Sequence, residues 1–390
     1  MVQGRESKGF VRVREIYQDR AHRAEELKTE GKKVIGYVSI YSVQEMMTAL
    51  DLVPYRIFGD MREPITKADT CLPAMVCPFI RSWLDLALKG KYDFVDGLVM
   101  AHVCDVGEKM ASISRTYLNY PYYYFIDLPH TVHKPAQEEF KKLLKDFQKT
   151  LELFTGKELS AEKLKEAIKV HNQQRALVRA LYDLRKPDPP LLSGVETLQV
   201  MKALMSIPVE EGNELLRQVI TEVKERKDGL QKKPRLLVWG SIIDDIALIE
   251  MIEGLEANVV IDDTCVGSRA YFPDVELTED PLDGLAYRYL VELKCPRTFR
   301  EVVFGAAKRD YIADLESRFS YLRDYAQEWN VNGVILQTMR YCDIHGYEVP
   351  GLKDYFGHIG LQSTYLEHDY SEAALAPLKT RVQAFLEVIS

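Results

Sequence analysis

The sequence lacks the features that mark secreted, membrane-spanning or nucleic-acid-binding proteins. Its first 33 residues are charged and contain no apolar signal segment, and no window approaches the roughly 18 uninterrupted apolar residues of a membrane helix. The 51 Lys and Arg residues are outnumbered by 59 Asp and Glu residues, so the chain has no overall positive field for a phosphate backbone. We therefore expect a cytoplasmic protein with neither a membrane nor a nucleic-acid partner.

Several common nucleotide and metal motifs are missing as well. The sequence has no G-x-x-x-x-G-K-S/T loop and no G-x-G-x-x-G fingerprint, so neither a P-loop ATPase nor a standard dinucleotide site is indicated. It also has no Cys-x-x-Cys pair of the kind that many zinc sites use. What it does have is 390 residues of ordinary globular composition and six cysteines, for which disulfides are not expected in a reducing compartment.

Short runs typical of strands, most of them apolar, alternate with helical patterns in two parts of the chain. The runs are VIGYVSIY, LVPYRIFGD, FVDGLVMAHVCD and YPYYYFID in the first part, and PRLLVWGS, NVVIDD, NGVILQTMRYCD and LQSTYLEHD in the second. This alternation predicts an α/β fold with two doubly wound parallel-sheet domains. Between them only helical periodicity is found, with Ser160 as a predicted N-cap and a proline-rich loop before residue 194.

The predicted boundaries follow from this change of pattern. Residues 1–133 form an N-terminal helix plus the first α/β domain, residues 134–232 form a helical bridge, and residues 233–390 form the second α/β domain. The N-terminal helix is predicted as one amphipathic helix over residues 10–30.

The cysteines form two series of three with matching neighbours. Each α/β part contains a Thr-Cys, a Cys-Pro and a Cys-Asp pair in that order. The pairs are Thr70-Cys71, Cys77-Pro78 and Cys104-Asp105, then Thr264-Cys265, Cys295-Pro296 and Cys342-Asp343. Each Cys-Asp pair follows a predicted strand, and open α/β sheets bind ligands beyond the carboxyl ends of their strands. The two aspartates are predicted to cap the helices that follow.

Four interpretations of these cysteines are open. A free cysteine is often a small buried hydrophobe, whereas a zinc site needs four ligands and a nucleophile needs only one thiolate with a base, such as His102 beside Cys104. Iron–sulfur ligation fits six thiols in matching triplets better, because thiolates are the ligands of these clusters. Three thiolates leave one iron of a cubane free, so two triplets predict two open cubanes or one linked pair.

At these residues the chain resembles the 2-hydroxyacyl-CoA dehydratase and benzoyl-CoA reductase family, and within it the double-cubane cluster proteins. The likeness covers nearly the whole chain. It rests on VIGYVSIYSVQEMMTALDLVPYRI, CPFIRSWLDLALKGKYDFVDGLVMAHVCD, VIDDTCVGSRAYF, DPLDGLAYRYL, CPRTFRE, NGVILQTMRYCD and LKTRVQAFLEVI. The resemblance implies two Rossmann- or flavodoxin-like domains joined by helices, a cluster at their interface, and a separate ATP-hydrolysing iron–sulfur activator that delivers electrons.

The double-cubane branch implies a homodimeric oxidoreductase that reduces a small molecule at an 8Fe-9S cluster. In that case all six cysteines are metal and cofactor ligands: Cys71, Cys77, Cys104, Cys265, Cys295 and Cys342. The alternative is a subunit of an (R)-2-hydroxyacyl-CoA dehydratase, which is a lyase, or of a benzoyl-CoA-type reductase, with a 4Fe-4S cluster on Cys77, Cys104 and Cys342. A non-catalytic electron carrier is a third hypothesis. Four arginines near the cysteines are candidates for balancing cluster charge: Arg81, Arg269, Arg297 and Arg340.

Overall fold

Two parallel sheets organise the computed structural model, which describes residues 7–227, 229–300 and 310–389. The first sheet contains β1 (Lys33–Tyr37), β2 (Leu52–Arg56), β3 (Gly97–Ala101) and β4 (Tyr122–Ile126). The second contains β5 (Arg235–Gly240), β6 (Asn258–Asp263), β7 (Gly333–Met339) and β8 (Gln362–His368). The predicted α/β class is confirmed, and each of the eight runs contains a strand.

Helices surround both sheets and fill the segment between them. The first half contains α1 (Lys8–Gln18), α2 (His22–Thr29), α3 (Gln44–Thr48), α4 (Pro78–Leu88), α5 (Asp105–Tyr117), α6 (Lys134–Thr155), α7 (Ala161–Asp183), α8 (Gly194–Leu204) and α9 (Val209–Lys224). The second half contains α10 (Ala247–Glu253), α11 (Ser268–Tyr271), α12 (Pro281–Tyr287), α13 (Tyr311–Glu328), α14 (Asp343–Gly346), α15 (Glu348–His358) and α16 (Leu375–Ile389), with a π-helical turn at Arg288–Glu292. Within the described ranges, no helix is long and apolar enough to cross a membrane.

The two sheets have the same strand order. Their strands lie in the orders β2-β1-β3-β4 and β6-β5-β7-β8, and all neighbours are parallel. Every residue of β3, β5 and β7 is buried, which explains why their sequences are continuous apolar runs without alternation. In both sheets the chain order reverses beside the first strand, between β1 and β3 and between β5 and β7. Such switch points open a crevice beyond the carboxyl ends of the strands.

The helices between the two sheets contact both of them. Helix α6 packs on β4 of the first sheet, while α7 contacts α3 from the first part and α11 and α12 from the second. The Ser160 side chain accepts a hydrogen bond from the Lys163 backbone N–H at 3.3 Å and so caps α7 as predicted. Helix α7 therefore connects the two α/β parts physically.

The prediction of one helix over residues 10–30 is wrong, because the chain turns between α1 and α2. The side chain of Arg20 points inward at this turn, where Nε donates to Ser206 Oγ at 2.8 Å and Nη2 donates to the Arg56 carbonyl oxygen at 2.7 Å. Asp19 Oδ1 then accepts the His22 backbone N–H, one of the N–H groups left open at the start of α2. The partners of Arg20 lie far away in the sequence, so helical periodicity alone does not reveal the break.

A buried ion pair fixes α7 against both α/β parts. Arg175 of α7 donates to Glu45 of α3, and both side chains are almost completely buried. The second carboxylate oxygen of Glu45 accepts a hydrogen bond from the Tyr289 hydroxyl at 2.7 Å, in the π-helical turn of the second part. Arg175 and its neighbouring cations hold the pKa of Glu45 well below its usual range, even though burial opposes this shift.

We predict that Arg175→Met lowers the free energy of unfolding by about 3–5 kcal/mol, because it leaves the Glu45 carboxylate buried without its cation. Urea denaturation measures the change. Arg179→Met on the same helix is the matched control: Arg179 pairs with Asp274 near the surface, where such pairs contribute about 1 kcal/mol or less. Equal losses in the two variants would contradict this account of the buried pair.

Candidate metal centre

A cavity of about 290 Å³ lies where the carboxyl ends of the two sheets face each other. Its walls come from the residues that follow β1 and β3 in the first sheet and β5, β6 and β7 in the second. The switch points of both sheets therefore open into the same space. A single water needs only roughly 10–15 Å³ of such volume, so the cavity has room for a group much larger than one ion or water.

Five of the six cysteines line this cavity. They are Cys77 and Cys104 from the first part and Cys265, Cys295 and Cys342 from the second. Cys71 is not among the described residues of the cavity wall, and its thiol donates to the Ala68 carbonyl oxygen at 3.4 Å. The structure thus brings together five predicted site residues and leaves the sixth on the loop that leads to Cys77.

Three of the five cysteines stand at the starts of helices. Cys77, Cys104 and Cys342 occupy the N-cap positions of α4, α5 and α14. Cys104 Sγ accepts a hydrogen bond from the Gly107 backbone N–H at 3.3 Å. Backbone N–H groups at a helix start favour a negatively charged sulfur over a neutral thiol.

The prediction that Asp105 and Asp343 cap these helices is wrong. Each aspartate is already the first helical residue, so the cysteine before it takes the cap position. In α5 the sulfur of Cys104 performs the task that the Asp105 carboxylate was expected to perform.

The thiols around the cavity influence one another electrostatically. Burial raises the pKa of Cys342 well above its usual value, and Cys77, Cys104 and Cys265 raise it further. Burial also raises the pKa of Cys265, where Arg269 opposes the shift and Cys295 adds to it. Cys342 is therefore coupled to thiols of both sheets, and Cys265 is coupled to Cys295.

Thiols with raised pKa values stay protonated at neutral pH unless a metal ion replaces the proton. For Cys77, burial raises the pKa to about 11. Metal binding requires the thiolate, so a cationic metal group would supply the missing charge compensation. The described residues contain no set of three or more Cys, His, Asp or Glu side chains arranged to hold one metal ion. The sulfurs instead surround a cavity.

Two buried arginines in the cavity wall have unsatisfied N–H groups. Arg56, at the end of β2, is 2% exposed, and its Nε and Nη1 atoms have no hydrogen-bond partner within the described chain. Arg297 is 3% exposed; it donates to the carbonyl oxygens of Leu128 and Pro129, while its Nε has no partner among the same residues. Buried N–H groups without acceptors are costly, so an anionic group in the cavity would stabilise both side chains.

The donor set fits an iron–sulfur cluster. Such a cluster is held by thiolates and carries acceptor sulfurs on its surface, so it can bind the cysteines and also accept hydrogen bonds from Arg56 and Arg297. When bound it would be held by Cys77, Cys104, Cys265, Cys295 and Cys342, the five cysteines of the cavity wall.

Two loops beside the cavity contain residues with strained backbones. Val43 ends the loop after β1 with φ 42°, and Tyr341 precedes Cys342 with φ 63°. A β-branched or bulky residue rarely adopts this left-handed conformation, which costs about 1–3 kcal/mol and often occurs at functional sites. Positive φ also occurs before β2, β6 and β7, at Asp51, Glu256 and Asn330, so it is not confined to the cavity side of the sheets.

Of the histidine and the four arginines predicted near the cysteine motifs, only some lie at the cavity. His102 Nδ1 lies 2.6 Å from Asp127 Oδ1 and is not among the described cavity residues. Arg269 lies beside Cys265 and Arg297 lines the wall, as expected of residues near the cysteine motifs. Arg81 pairs instead with Asp69, and Arg340 lies 3.8 Å from Glu367.

Two residues near the cysteines, Arg56 and His345, were not predicted from the sequence. Arg56 is the last residue of a predicted strand, a signal that could have identified it, because strand ends line the crevice of an open sheet. His345 lies three residues after Cys342, the N-cap of α14. Residues three apart on a helix are neighbours, so this spacing was the signal that could have identified His345.

Comparison with known proteins gives consistent results along almost the whole chain. A family model described as 2-hydroxyglutaryl-CoA dehydratase, D-component, matches residues 39–389. The chain is 24% identical over 364 residues to the (R)-phenyllactyl-CoA dehydratase beta subunit of Clostridium sporogenes, covering 93% of each protein. It is 25% identical over 363 residues to a subunit of the benzoyl-CoA reductase of Thauera aromatica, covering 92% of this chain and 91% of the relative. The (R)-2-hydroxyglutaryl-CoA dehydratase subunit beta of Acidaminococcus fermentans is 22% identical over 373 residues, covering 92% of this chain and 93% of the relative.

We predict that Arg56→Met stabilises the metal-free protein by about 1–3 kcal/mol, because it removes a buried cation with unsatisfied N–H groups. Anaerobic urea unfolding measures this, and after reconstitution with iron and sulfide the sign should reverse, because the cation then faces an anionic group. Arg20→Met is the control: Arg20 already has partners in Ser206 and the Arg56 carbonyl, so its loss should destabilise both forms. Destabilisation of the metal-free protein by Arg56→Met would contradict the inference that Arg56 lacks a partner.

Proposed function

Because the chain belongs to the 2-hydroxyglutaryl-CoA dehydratase D-component family, as the match over residues 39–389 shows, we propose that it is an iron–sulfur oxidoreductase with a double-cubane 8Fe-9S cluster. Its cavity would hold the cluster, and an ATP-hydrolysing iron–sulfur activator would deliver the electrons that reduce a small molecule. The observation that carries the proposal is the convergence of five cysteines from both sheets on one cavity. One open cubane needs only three of them.

The positions of the thiols support an assignment of ligands to cubanes. Cys77, Cys104 and Cys342 would hold one cubane, because all three stand at helix starts on the cavity wall and both Cys77 and Cys104 raise the pKa of Cys342. Cys265 and Cys295 would hold the second together with Cys71. This assignment crosses the two halves of the sequence, since Cys342 comes from the second part and joins two cysteines of the first.

Cys71 would have to move to join the second cubane. The chain before it is fixed at Thr66 and Ala68, whose backbone N–H groups both donate to Asp85 Oδ1 at 2.8 and 2.9 Å. After it, the chain is fixed again where α4 begins beyond Cys77. Metal binding commonly completes a site that is not preformed without the metal, so we propose that the segment between these anchors carries Cys71 inward.

The residues around the sulfurs would perform three tasks. When bound, the cluster supplies electrons at low potential, and potentials of such clusters depend on charge, hydrogen bonds and solvent exposure. Arg56 and Arg297 would balance its negative charge. Apolar wall residues such as Phe79, Met100 and Ile242 would keep water from it.

The proposed partners follow from the same reasoning. The chain would act as a homodimer in the cytoplasm and bind its small substrate in the cavity at the ends of the sheets. It would need no acyl-CoA and no second type of catalytic subunit.

A second candidate function is a catalytic subunit of a 2-hydroxyacyl-CoA dehydratase or a benzoyl-CoA-type reductase. The names of the relatives favour it, since all three denote subunits of such enzymes. The position of Cys71 outside the described cavity wall also favours it, because a single 4Fe-4S cubane on Cys77, Cys104 and Cys342 leaves Cys71 unused. This candidate requires a related partner subunit and an acyl-CoA substrate.

We predict about eight irons per chain after anaerobic purification, because two four-iron cubanes fill the site. Cys71→Ser and Cys295→Ser should each reduce the iron and sulfide content, measured by chemical analysis. The single-cubane candidate predicts about four irons and no loss in these two variants. A reproducible count of four that depends only on Cys77, Cys104 and Cys342 would exclude the double cubane.

We also predict that the reduced protein is a homodimer whose EPR spectrum changes when a small oxidising substrate is added and does not respond to acyl-CoA. Light scattering gives the oligomeric state, and titration under EPR gives the response. A spectrum that responds only to acyl-CoA in the presence of a second subunit would support the dehydratase or reductase subunit. A spectrum that responds to neither compound would indicate an electron carrier.

A further inference from the structure

A buried histidine connects two of the cavity cysteines through a chain of hydrogen bonds. His345 in α14 is 6% exposed, and its Nδ1 atom lies 3.4 Å from Cys342 Sγ. Its other ring nitrogen, Nε2, lies 3.1 Å from Arg269 Nη1. The same Arg269 Nη1 atom lies 3.7 Å from Cys265 Sγ, so one chain of polar groups reaches two of the cavity thiols.

Arg269 is held firmly in this position. Its Nε and Nη2 atoms donate to both carboxylate oxygens of Asp263 at 3.1 and 2.8 Å, and Nη1 also donates to the Gly240 carbonyl oxygen at 3.0 Å. The Tyr321 hydroxyl donates to the same carboxylate at 2.8 Å. Arg269 is 3% exposed, so its direction is set by these fixed partners and not by solvent.

The chemistry of arginine then determines the tautomer of His345. A guanidinium group has N–H donors and no acceptor, so a hydrogen bond from Arg269 requires His345 Nε2 to be the acceptor. The Gly240 carbonyl oxygen competes with Arg269 for the histidine ring, and a hydrogen bond to that oxygen would require the ring to donate. In a neutral imidazole the proton consequently lies on Nδ1, the nitrogen that faces Cys342. A doubly protonated ring would place an N–H group against an N–H group of Arg269 and is therefore disfavoured.

We propose that His345 is a positioning residue that donates an Nδ1–H hydrogen bond to the sulfur of Cys342, and that Arg269 fixes the histidine tautomer by donating to Nε2. The effect on the cluster rests on the proposed function, because it requires Cys342 to be a cluster ligand. A hydrogen bond to a ligand sulfur stabilises the more negative, reduced state, so it raises the reduction potential.

A purely structural role for His345 predicts a different outcome. Its ring packs near Trp239 at 5.4 Å between centroids, so its shape alone contributes to the fold. Phenylalanine preserves a ring and removes both nitrogens. Asparagine is smaller, but its side-chain amide can place an N–H near the position of Nδ1. Comparing the two variants therefore separates loss of shape from loss of the hydrogen-bond donor.

The test measures iron content and reduction potential of His345→Phe and His345→Asn by anaerobic EPR titration. We expect both variants to bind as much iron as the wild type. The reduction potential of the Phe variant should be lower by about 59 mV, which corresponds to a tenfold change in the one-electron reduction equilibrium. The potential of the Asn variant should stay near that of the wild type. His171→Phe is the matched control, because His171 is also 6% exposed but bonds to Thr48 Oγ1, and it should leave the potential unchanged.

Equal potentials in the wild type and a fully loaded Phe variant would overturn the proposal. If the Phe variant binds less iron, the Asn variant decides: wild-type iron in that variant supports the donor, and an equal loss in both overturns it.

A separate measurement on the metal-free protein distinguishes failure of this proposal from failure of the proposed function. Nitrogen-15 NMR should show an Nδ1–H tautomer that disappears in His345→Asn, whereas an Nε2–H tautomer would overturn the assignment whatever the protein binds. A wild-type protein with the Nδ1–H tautomer but no iron or sulfide would contradict the proposed function alone.

Discussion

The site depends on one geometric constraint, the meeting of the carboxyl ends of two parallel sheets. Each sheet reverses its strand order beside its first strand, and both reversals open into the same cavity of about 290 Å³. Loops from five strands can therefore place side chains in one buried space. The Glu45–Arg175 pair and its contact with Tyr289 tie the connecting helix α7 to both parts and so support this arrangement.

Burial in this cavity leaves thiols that stay protonated at neutral pH and arginine N–H groups that have no acceptor. Burial raises the pKa of Cys77 and Cys342, and Arg56 and Arg297 keep N–H groups without partners in the described chain. An anionic iron–sulfur cluster would meet both requirements. Its metal ions would replace the thiol protons, and its sulfurs would accept hydrogen bonds from the arginines. His345 would add a hydrogen bond to one of the ligand sulfurs, that of Cys342.

The sequence predicted much of this fold and less of the site. Apolar runs located the interior strands β3, β5 and β7 because fully buried strands need no polar face, and paired motifs located the cysteines at strand and helix ends. The strand β8 is mostly half-buried or exposed, and its sequence is largely polar. The break at Arg20 and the roles of Arg56 and His345 depend on partners far away in the chain or on the direction of a side chain, which local patterns do not contain. The helix caps at Cys104 and Cys342 differ from the prediction by one residue, a shift that no propensity rule detects.

An anaerobic crystal structure with an iron anomalous map tests the central claim most directly. The account predicts iron in the cavity between the sheets, bound to Cys77, Cys104 and Cys342 on one side and to Cys265, Cys295 and an inward-moved Cys71 on the other. Iron bound only by the first three cysteines would contradict the double cubane. Cysteines without iron in an anaerobically purified protein would contradict the metal centre itself.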